Sequence, residues 1–572
     1  MDIATLSNAN LVDLTSAQLA YGRLVTAFGH HVDDWRSQVT GRLQKSQWTG
    51  STAVQVRADL AAFTSKLQAA HDELNLISAT LSDAAESFAL AQAQLLQALD
   101  DAKAAGITVK PDGSMTWDKD PAAAASDTAT DPKKAQASYI GDRISGALTE
   151  ADQADKLIAA RLKHFTDNAT NGTGLDSVTA GQDQQADAAR ENLPPKGSTP
   201  DQVKAWWAGL TPAEQHDLIH NHPDQVGGLD GVPAVARDEA NRLTLTQSRN
   251  ELQAQLDKLG PEPVEKLIPG DTSYVESAEH KAWREKYEDL TEKLDGMNAI
   301  QTRLDSDGKN GSPPAYLLGF DTNGHGHAIV AVNNPDTANN VVTYVPGTGA
   351  RLGSINNDIT RSDRMVSSAE SADQSKTTAS VTWVGYDAPQ SIIPEAADDK
   401  YALGAEDKLR NFELGLRTTH EGTPAYQTII GHSYGSTTVG YAMRDKGLPV
   451  DAAMFVGSPG TGVDTASGLG IDPNKVWAGR GDADAIDYAR SENPLQWAQD
   501  GASDVGSTLT NGFGGYVGYH SAEDNHLAFG RDPANQHFGG HEIPTDPGVG
   551  HSDYWEKGQS LDAMGRIISG KW

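Results

Sequence analysis

Residues 427–440 read Gln-Thr-Ile-Ile-Gly-His-Ser-Tyr-Gly-Ser-Thr-Thr-Val-Gly, and within them Gly431-His432-Ser433-Tyr434-Gly435 sets a serine between two glycines. A G-x-S-x-G segment that follows a short apolar run (Ile429, Ile430) and opens a small-residue helix (Val439, Tyr441, Ala442) prescribes a strand, a sharp turn and a helix in succession. The serine is held at strained, positive φ, and its neighbours must lack side chains or the flanking strand and helix would collide. The motif nominates Ser433 as a nucleophile and commits its surroundings to an α/β layer structure.

The rest of the C-terminal half has the texture such a layer needs. Short apolar runs recur at Tyr316-Leu317-Leu318-Gly319-Phe320, Ala328-Ile329-Val330-Ala331-Val332, Val341-Val342-Thr343-Tyr344-Val345, Val381-Thr382-Trp383-Val384, Ala453-Met454-Phe455-Val456 and Val476-Trp477-Ala478. Helical stretches at roughly 397–417 and 436–446 separate several of them, which predicts a mainly parallel sheet covered on both faces. Residues 311–572 are expected to form one such domain.

A serine hydroxyl is a feeble nucleophile until a histidine takes its proton and an acid orients that imidazole. In a strand–serine–helix setting the acid and then the histidine follow the serine in the chain. The loop after Val476-Trp477-Ala478 offers Asp482 and Asp484 as the acid. His551 lies in a glycine-rich loop before a final helix at roughly 560–570, where the base belongs; His520, His526, His537 and His541 are its competitors. His432 adjoins the nucleophile, so its side chain is expected to point away from Ser433 Oγ and to pack. For the developing oxyanion, the Tyr434 amide and an amide of Pro346-Gly347-Thr348-Gly349-Ala350, at Thr348, are the expected donors. No G-K-[ST] follows that loop, which weighs against phosphate binding.

These residues resemble an actinobacterial α/β-hydrolase family of largely unassigned activity. The similarity is carried by Val345-Pro346-Gly347-Thr348, Trp383-Val384-Gly385-Tyr386-Asp387-Ala388-Pro389, Gly431-His432-Ser433-Tyr434-Gly435-Ser436, Gly457-Ser458-Pro459-Gly460, Phe529-Gly530-Arg531-Asp532-Pro533 and His551-Ser552-Asp553-Tyr554, and extends upstream to Trp206-Trp207 and Leu229-Asp230-Gly231-Val232-Pro233. It implies the α/β-hydrolase fold and a triad of Ser433, Asp484 and His551, and favours Asp484 over Asp482. Substrate is not implied, because the fold hosts many chemistries. An esterase or lipase-like enzyme acting on a small-molecule or lipid ester is the expectation.

The first 105 residues have a different character. Apolar positions at Val56, Leu60, Phe63, Leu67, Ala70, Leu74, Ile77, Leu81, Ala84, Phe88, Ala91 and Leu95 keep a 4-3 alternation, and Leu24, Phe28, Val32, Trp35 and Val39 form a second stripe. Trp48-Thr49-Gly50 lies between the two. An antiparallel helical hairpin over 1–105 is predicted, and it resembles the Trp-x-Gly hairpins exported by type VII (ESX) secretion systems. That resemblance implies a secretion partner, and with it a second reading: an exported effector or interaction protein whose hydrolase domain is weakly active or vestigial. A linker with one further helix (106–198, polar from about 167) and a helical connector or lid (199–310) are expected between the two ends. The Trp206-Trp207 pair reads as a packing anchor.

Composition narrows the partners. With 46 basic and 78 acidic residues the net charge is −32, which disfavours nucleic acid and anionic lipid. No apolar run reaches the length of a membrane span and the N-terminus lacks a Sec-type signal, so a cytoplasmic location or a signal-peptide-independent export route is expected. There is no cysteine. No cofactor is expected and no metal: the glycines flanking His325-Gly326-His327 and His537 with His541-Glu542 suggest loops, and in Asp305-Ser306-Asp307-Gly308-Lys309 a lysine occupies a ligand position and no acid closes the loop.

Overall fold

A computed structural model describes residues 1–118, 132–190, 192–263, 266–267, 274–307, 309, 311–392, 395–484, 486 and 526–572. Packing divides the chain into two units, one built mainly from Met1–Ser198 and Ala205–Asn221, the other from Thr199–Lys204, His222–Asp307 and Pro313–Trp572. The segment read as a connector is therefore shared between them. Among the described residues, no helix is long and apolar enough to cross a membrane.

The first unit is helical. Helices α1 (Leu11–Trp35) and α2 (Ser51–Ala104) are joined by a turn in which Gly50 has φ +109° and Trp48 is 44% exposed. A third long helix, α3 (Pro132–Asn171), packs along α2, with Ala91, Leu95, Ala98 and Ala102 meeting Ile140, Ile144, Ala147 and Ala151. Because α2 has partners on two sides, its line of burial keeps Ala84, Ala91 and Leu95 of the predicted seam and departs from the rest. It runs through Ala69, Glu73, Leu76, Thr80, Ala84, Ser87, Ala91, Leu95, Ala98 and Ala102, whereas Phe63 is exposed and Leu60, Leu74 and Leu81 are half-buried. Small residues occupy the closest approach between helices, where a leucine seam would hold them apart. The polar stretch expected as linker from 167 also contains a helix, α4 (Ser177–Arg190). Trp207 is buried and its ring lies 5.7 Å from that of Trp206, a packing pair.

The second unit is built on an eight-stranded sheet. Its strands are β1 (Ala315–Asp321), β2 (His327–Val332), β3 (Asn340–Val345), β4 (Thr378–Val384), β5 (Tyr426–His432), β6 (Ala452–Val456), β7 (Val476–Gly479) and β8 (His541–Glu542), in the spatial order β8-β7-β6-β5-β3-β4-β2-β1. All neighbours are parallel except those of β2, which is antiparallel to β1 and β4. Alternation along each strand feeds two cores. Val342, Tyr344, Ile430, Met454 and Val456 meet Met365 and Ala369 of α7 (Ile355–Ala372) and Met564, Ile567 and Ile568 of α10 (Gln559–Ile568). On the other face Val341, Val345, Ile429, Ala453 and Phe455 join a cluster with Leu409, Phe412 and Leu416 of α8 (Lys400–Thr419) and Val439 and Met443 of α9 (Tyr434–Lys446). Burial on both faces is why these strands read as unbroken apolar runs.

Helices α5 (Ala234–Leu259) and α6 (Ala278–Leu304) belong to this unit. On β1, Leu317 N–H donates to Asp238 Oδ1 (2.7 Å), Leu317 O accepts from Asn241 Nδ2 (2.9 Å) and Ala315 O from Arg242 Nη2 (3.1 Å). Side chains of α5 thus satisfy a strand edge that would otherwise invite another chain.

Burial also loads this unit with reluctant carboxylates. Desolvation pushes Asp238 and Asp307 up to about 6 despite Arg242, and the fully buried Glu413 up to about 7 although Gln427 donates to it. A raised folded pKa means that the unfolded chain releases its proton first, so this contribution is fullest below the ordinary carboxylate range and is lost as pH climbs toward 7. For Glu413 alone the loss is about 3 kcal/mol. We expect the melting temperature to fall between about pH 5 and pH 8, with a shallower fall in Glu413→Gln, as calorimetry would record. A flat or rising melting temperature would refute this.

Candidate active site

At the end of β5 the chain does what G-x-S-x-G prescribes. Ser433 has φ 53° and ψ −130°, one of two non-glycine residues at positive φ among those described, and α9 begins at the next residue. A Cβ on Gly435 would stand 2.2 Å from Val345 O, and one on Gly431 2.5 Å from Ser436 Cα, so both flanking positions admit only hydrogen. Ser433 N–H donates to Val456 O at 3.1 Å, tying the turn to β6.

The candidate acid and base lie in the loops after β7 and β8. His551 Nδ1 lies 2.7 Å from Asp484 Oδ1, and Asp484 is 3% exposed. That carboxylate also accepts from Ile486 N–H (2.8 Å) and from the Tyr554 hydroxyl, which in turn accepts from Gly481 N–H at 3.0 Å. Burial alone would raise Asp484, but the hydrogen bonds from His551 and Tyr554 outweigh it and hold the carboxyl below its ordinary value. An ionised carboxylate only accepts, so the His551 proton is on Nδ1 and the neutral ring keeps a lone pair on Nε2. Among the described residues no hydrogen bond joins Ser433 Oγ to His551; contacts of this kind tighten when substrate binds.

The other candidates fall elsewhere. Asp482 Oδ1 accepts from Gly548 N–H (2.7 Å) and fastens the histidine loop to the acid loop. His537 and His541 are exposed, and His541 packs at 5.7 Å on Trp477. His520 and the His526 side chain are outside the described residues. His432 is buried, with Nε2 2.7 Å from His551 O. His327 bridges Asp321 (3.0 Å) and Asp387 (3.1 Å) through opposite ring nitrogens.

The loop after β3 lies against the serine turn. A Cβ at Gly347 would be 2.6 Å from Ser433 Cβ and 2.8 Å from Tyr434 N. Within that loop the Gly349 amide donates to Pro389 O (2.8 Å) and the Ala350 amide to Gly347 O (3.1 Å); Thr348, the donor expected from sequence, is half-buried. Tyr434 is the first residue of α9, where a helix amide has no acceptor within the helix and the macrodipole favours negative charge. Replacing Gly347 by alanine would force a methyl against backbone that cannot yield. Its expected result is a loss of roughly a thousandfold or more in turnover, with a lowered melting temperature, measured side by side with wild type.

Sequence reasoning assigned no role to three residues here. Tyr386 donates to Pro346 O (2.8 Å) and Gln390 Nε2 to Ala350 O (3.2 Å), so the segment after β4 braces the loop after β3. Tyr554, three residues past His551, braces Asp484. Both belong to motifs that sequence singled out, but tyrosine has too many ordinary packing uses for spacing to reveal a hydroxyl's partner.

The match to a family model agrees with this architecture. Residues 321–493 match a family described as alpha/beta hydrolase. An uncharacterized protein of Mycobacterium tuberculosis is 30% identical over 424 residues, covering 70% of this chain and 60% of the relative, so the chain spans about three fifths of that relative's length. An uncharacterized protein of Mycobacterium bovis is 29% identical over 198 residues, covering 33% of this chain and 71% of the relative. The esterase LipW from Mycobacterium marinum superposes with a TM-score of 0.27 at 13% identity, covering 52% of this chain and 91% of that one. With its strand order, its serine turn after β5 and its family match, the second unit has the α/β-hydrolase fold.

Proposed function

We propose that this protein is a serine hydrolase that transfers acyl groups through Ser433, His551 and Asp484, with carboxylic esters as substrates. The observation that carries the reading is the 2.7 Å His551–Asp484 contact, with the acid held ionised, across from a serine at positive φ. Ser433 Oγ attacks the carbonyl carbon as its proton passes to His551 Nε2. The amides of Tyr434 and Thr348 take the oxyanion, each contributing roughly 3 kcal/mol by analogy with other such sites. Collapse breaks the bond to the alcohol, which leaves with the proton from His551. Water, deprotonated by the same ring, then cleaves the acyl-serine ester. Asp484 keeps the ring in its tautomer and offsets its charge. The test is a fluorophosphonate probe: labelling of the wild type that disappears in Ser433→Ala supports the reading, and an unlabelled wild type refutes it. A chain-length series of p-nitrophenyl esters, set against matched amides, then defines the substrate.

One observation favours an additional role for the hairpin. Trp48-Thr49-Gly50 occupies the turn between α1 and α2, with Trp48 exposed and its carbonyl accepting from Arg57 Nη2 (2.6 Å). This supports recognition of the hairpin by a type VII export partner. Deleting residues 1–105 should then abolish release into the culture supernatant, and unchanged release would count against it.

A further inference from the structure

We propose that His432 is a positioning residue: its Nε2–H, anchored on the backbone carbonyl of His551, fixes how far the base's ring reaches toward Ser433. This rests on the hydrolase reading above. The loop carrying His551 joins β8 to α10, and its internal bonds are short-range, Gly550 N–H to Asp553 Oδ2 (3.0 Å) and Asp553 N–H to Gly550 O (3.2 Å). Gly548 N–H on Asp482 Oδ1 (2.7 Å) and Ala483 N–H on Val549 O (3.2 Å) tie the loop to the acid loop just before His551, and Asp484 orients the ring. The 2.7 Å bond from His432 holds the main chain of His551 itself, and its donor is the residue next to the nucleophile, at the end of β5.

The donor itself is rigid. The His432 ring meets Trp555 edge to face (5.1 Å, 90°) and the His551 ring at 4.9 Å. Trp555 is held in turn by Tyr344 at 5.1 Å and by the Arg361 guanidinium 4.5 Å above its ring. A carbonyl accepts only from a protonated nitrogen, so the His432 proton is on Nε2. Burial first, then the neighbouring His551 and Arg361, hold the ring far below its ordinary value; the bond to the carbonyl and the Asp484 charge oppose this and lose. The donor is therefore neutral and does not switch across the working range. Nucleophile and base, distant in sequence, are locked in register by one imidazole that exchanges no proton.

The test compares His432→Phe, which keeps a ring and removes the donor, with His432→Gln, whose Nε2 restores a donor at similar reach. The readouts are the second-order rate of fluorophosphonate capture by Ser433 and the melting temperature. His432→Phe is expected to react roughly 10- to 100-fold more slowly. His432→Gln should recover most of the rate. A His432→Phe rate within about twofold of wild type, or a His432→Gln rate as slow as His432→Phe, overturns the proposal. His432→Met takes the place of the phenylalanine variant if that one does not fold. Labelling of Ser433→Ala at the wild-type rate would instead overturn the hydrolase reading, and the two failures are distinct.

Discussion

Ser433→Ala is expected to lower kcat by roughly four to six orders of magnitude while leaving the fold intact. The size follows from what the side chain is proposed to do: Ser433 forms the acyl intermediate, and the oxyanion amides and binding surface alone leave only a small residual rate. The fold should survive because alanine removes one oxygen and Ser433 Oγ holds no hydrogen bond that the turn depends on; the turn is kept by Ser433 N–H on Val456 O and by Ser436 Oγ on Ser433 O (2.5 Å). Alanine at positive φ bears the same strain as serine. Steady-state turnover of p-nitrophenyl esters with a melting curve for each protein decides it. Undiminished turnover in a folded Ser433→Ala protein would end the assignment.

The second large effect separates two aspartates two residues apart. Asp484→Asn should cost roughly four orders of magnitude in kcat, by analogy with other Ser-His-Asp sites, because an amide nitrogen facing His551 inverts the tautomer that leaves Nε2 unprotonated. It also sets an amide among donors at Tyr554 and Ile486, so a lower melting temperature is expected as well. Asp482→Asn keeps an Oδ1 acceptor for Gly548 N–H and should stay within about threefold of wild type. Inactivation by Asp482→Asn alone would reverse the assignment of the acid.

Much of this unit was legible in the sequence because its signals are local. A serine between glycines, preceded by Ile429-Ile430 and followed by small residues, admits few backbones, and apolar runs at β3, β5 and β6 can be buried only under helices on both faces. What remained illegible depends on partners distant in the chain. Nothing local distinguishes Asp484 from Asp482, since both stand in one Gly-Asp-Ala-Asp turn; their roles separate only where His551 and Gly548 come to meet them. The seam of α2 was misplaced in part, at Leu60, Phe63, Leu74 and Leu81, for a related reason. Periodicity reports that a helix has an apolar face, but α1 and α3 together decide which line of that face lies deepest, and there Ala69 and Ala98 outrank Leu74 and Leu81. The edge duty of α5 is carried by Asp238, Asn241 and Arg242, polar residues that read as a solvated surface until β1 is beside them.

On the proposed assignment, the order of Ser433, Asp484 and His551 along the chain bears on the timing of synthesis. Ser433 and its elbow can form once β3, β5 and β6 have emerged, but the proposed base waits for β8, for Tyr554 on Asp484, and for α10 to dock on α7 through Ser368 Oγ on Leu561 O (2.8 Å). A growing chain that still lacks the residues after β8 would therefore carry an unarmed serine, and reactivity would follow the folding of the segment that brings His551 onto Asp484.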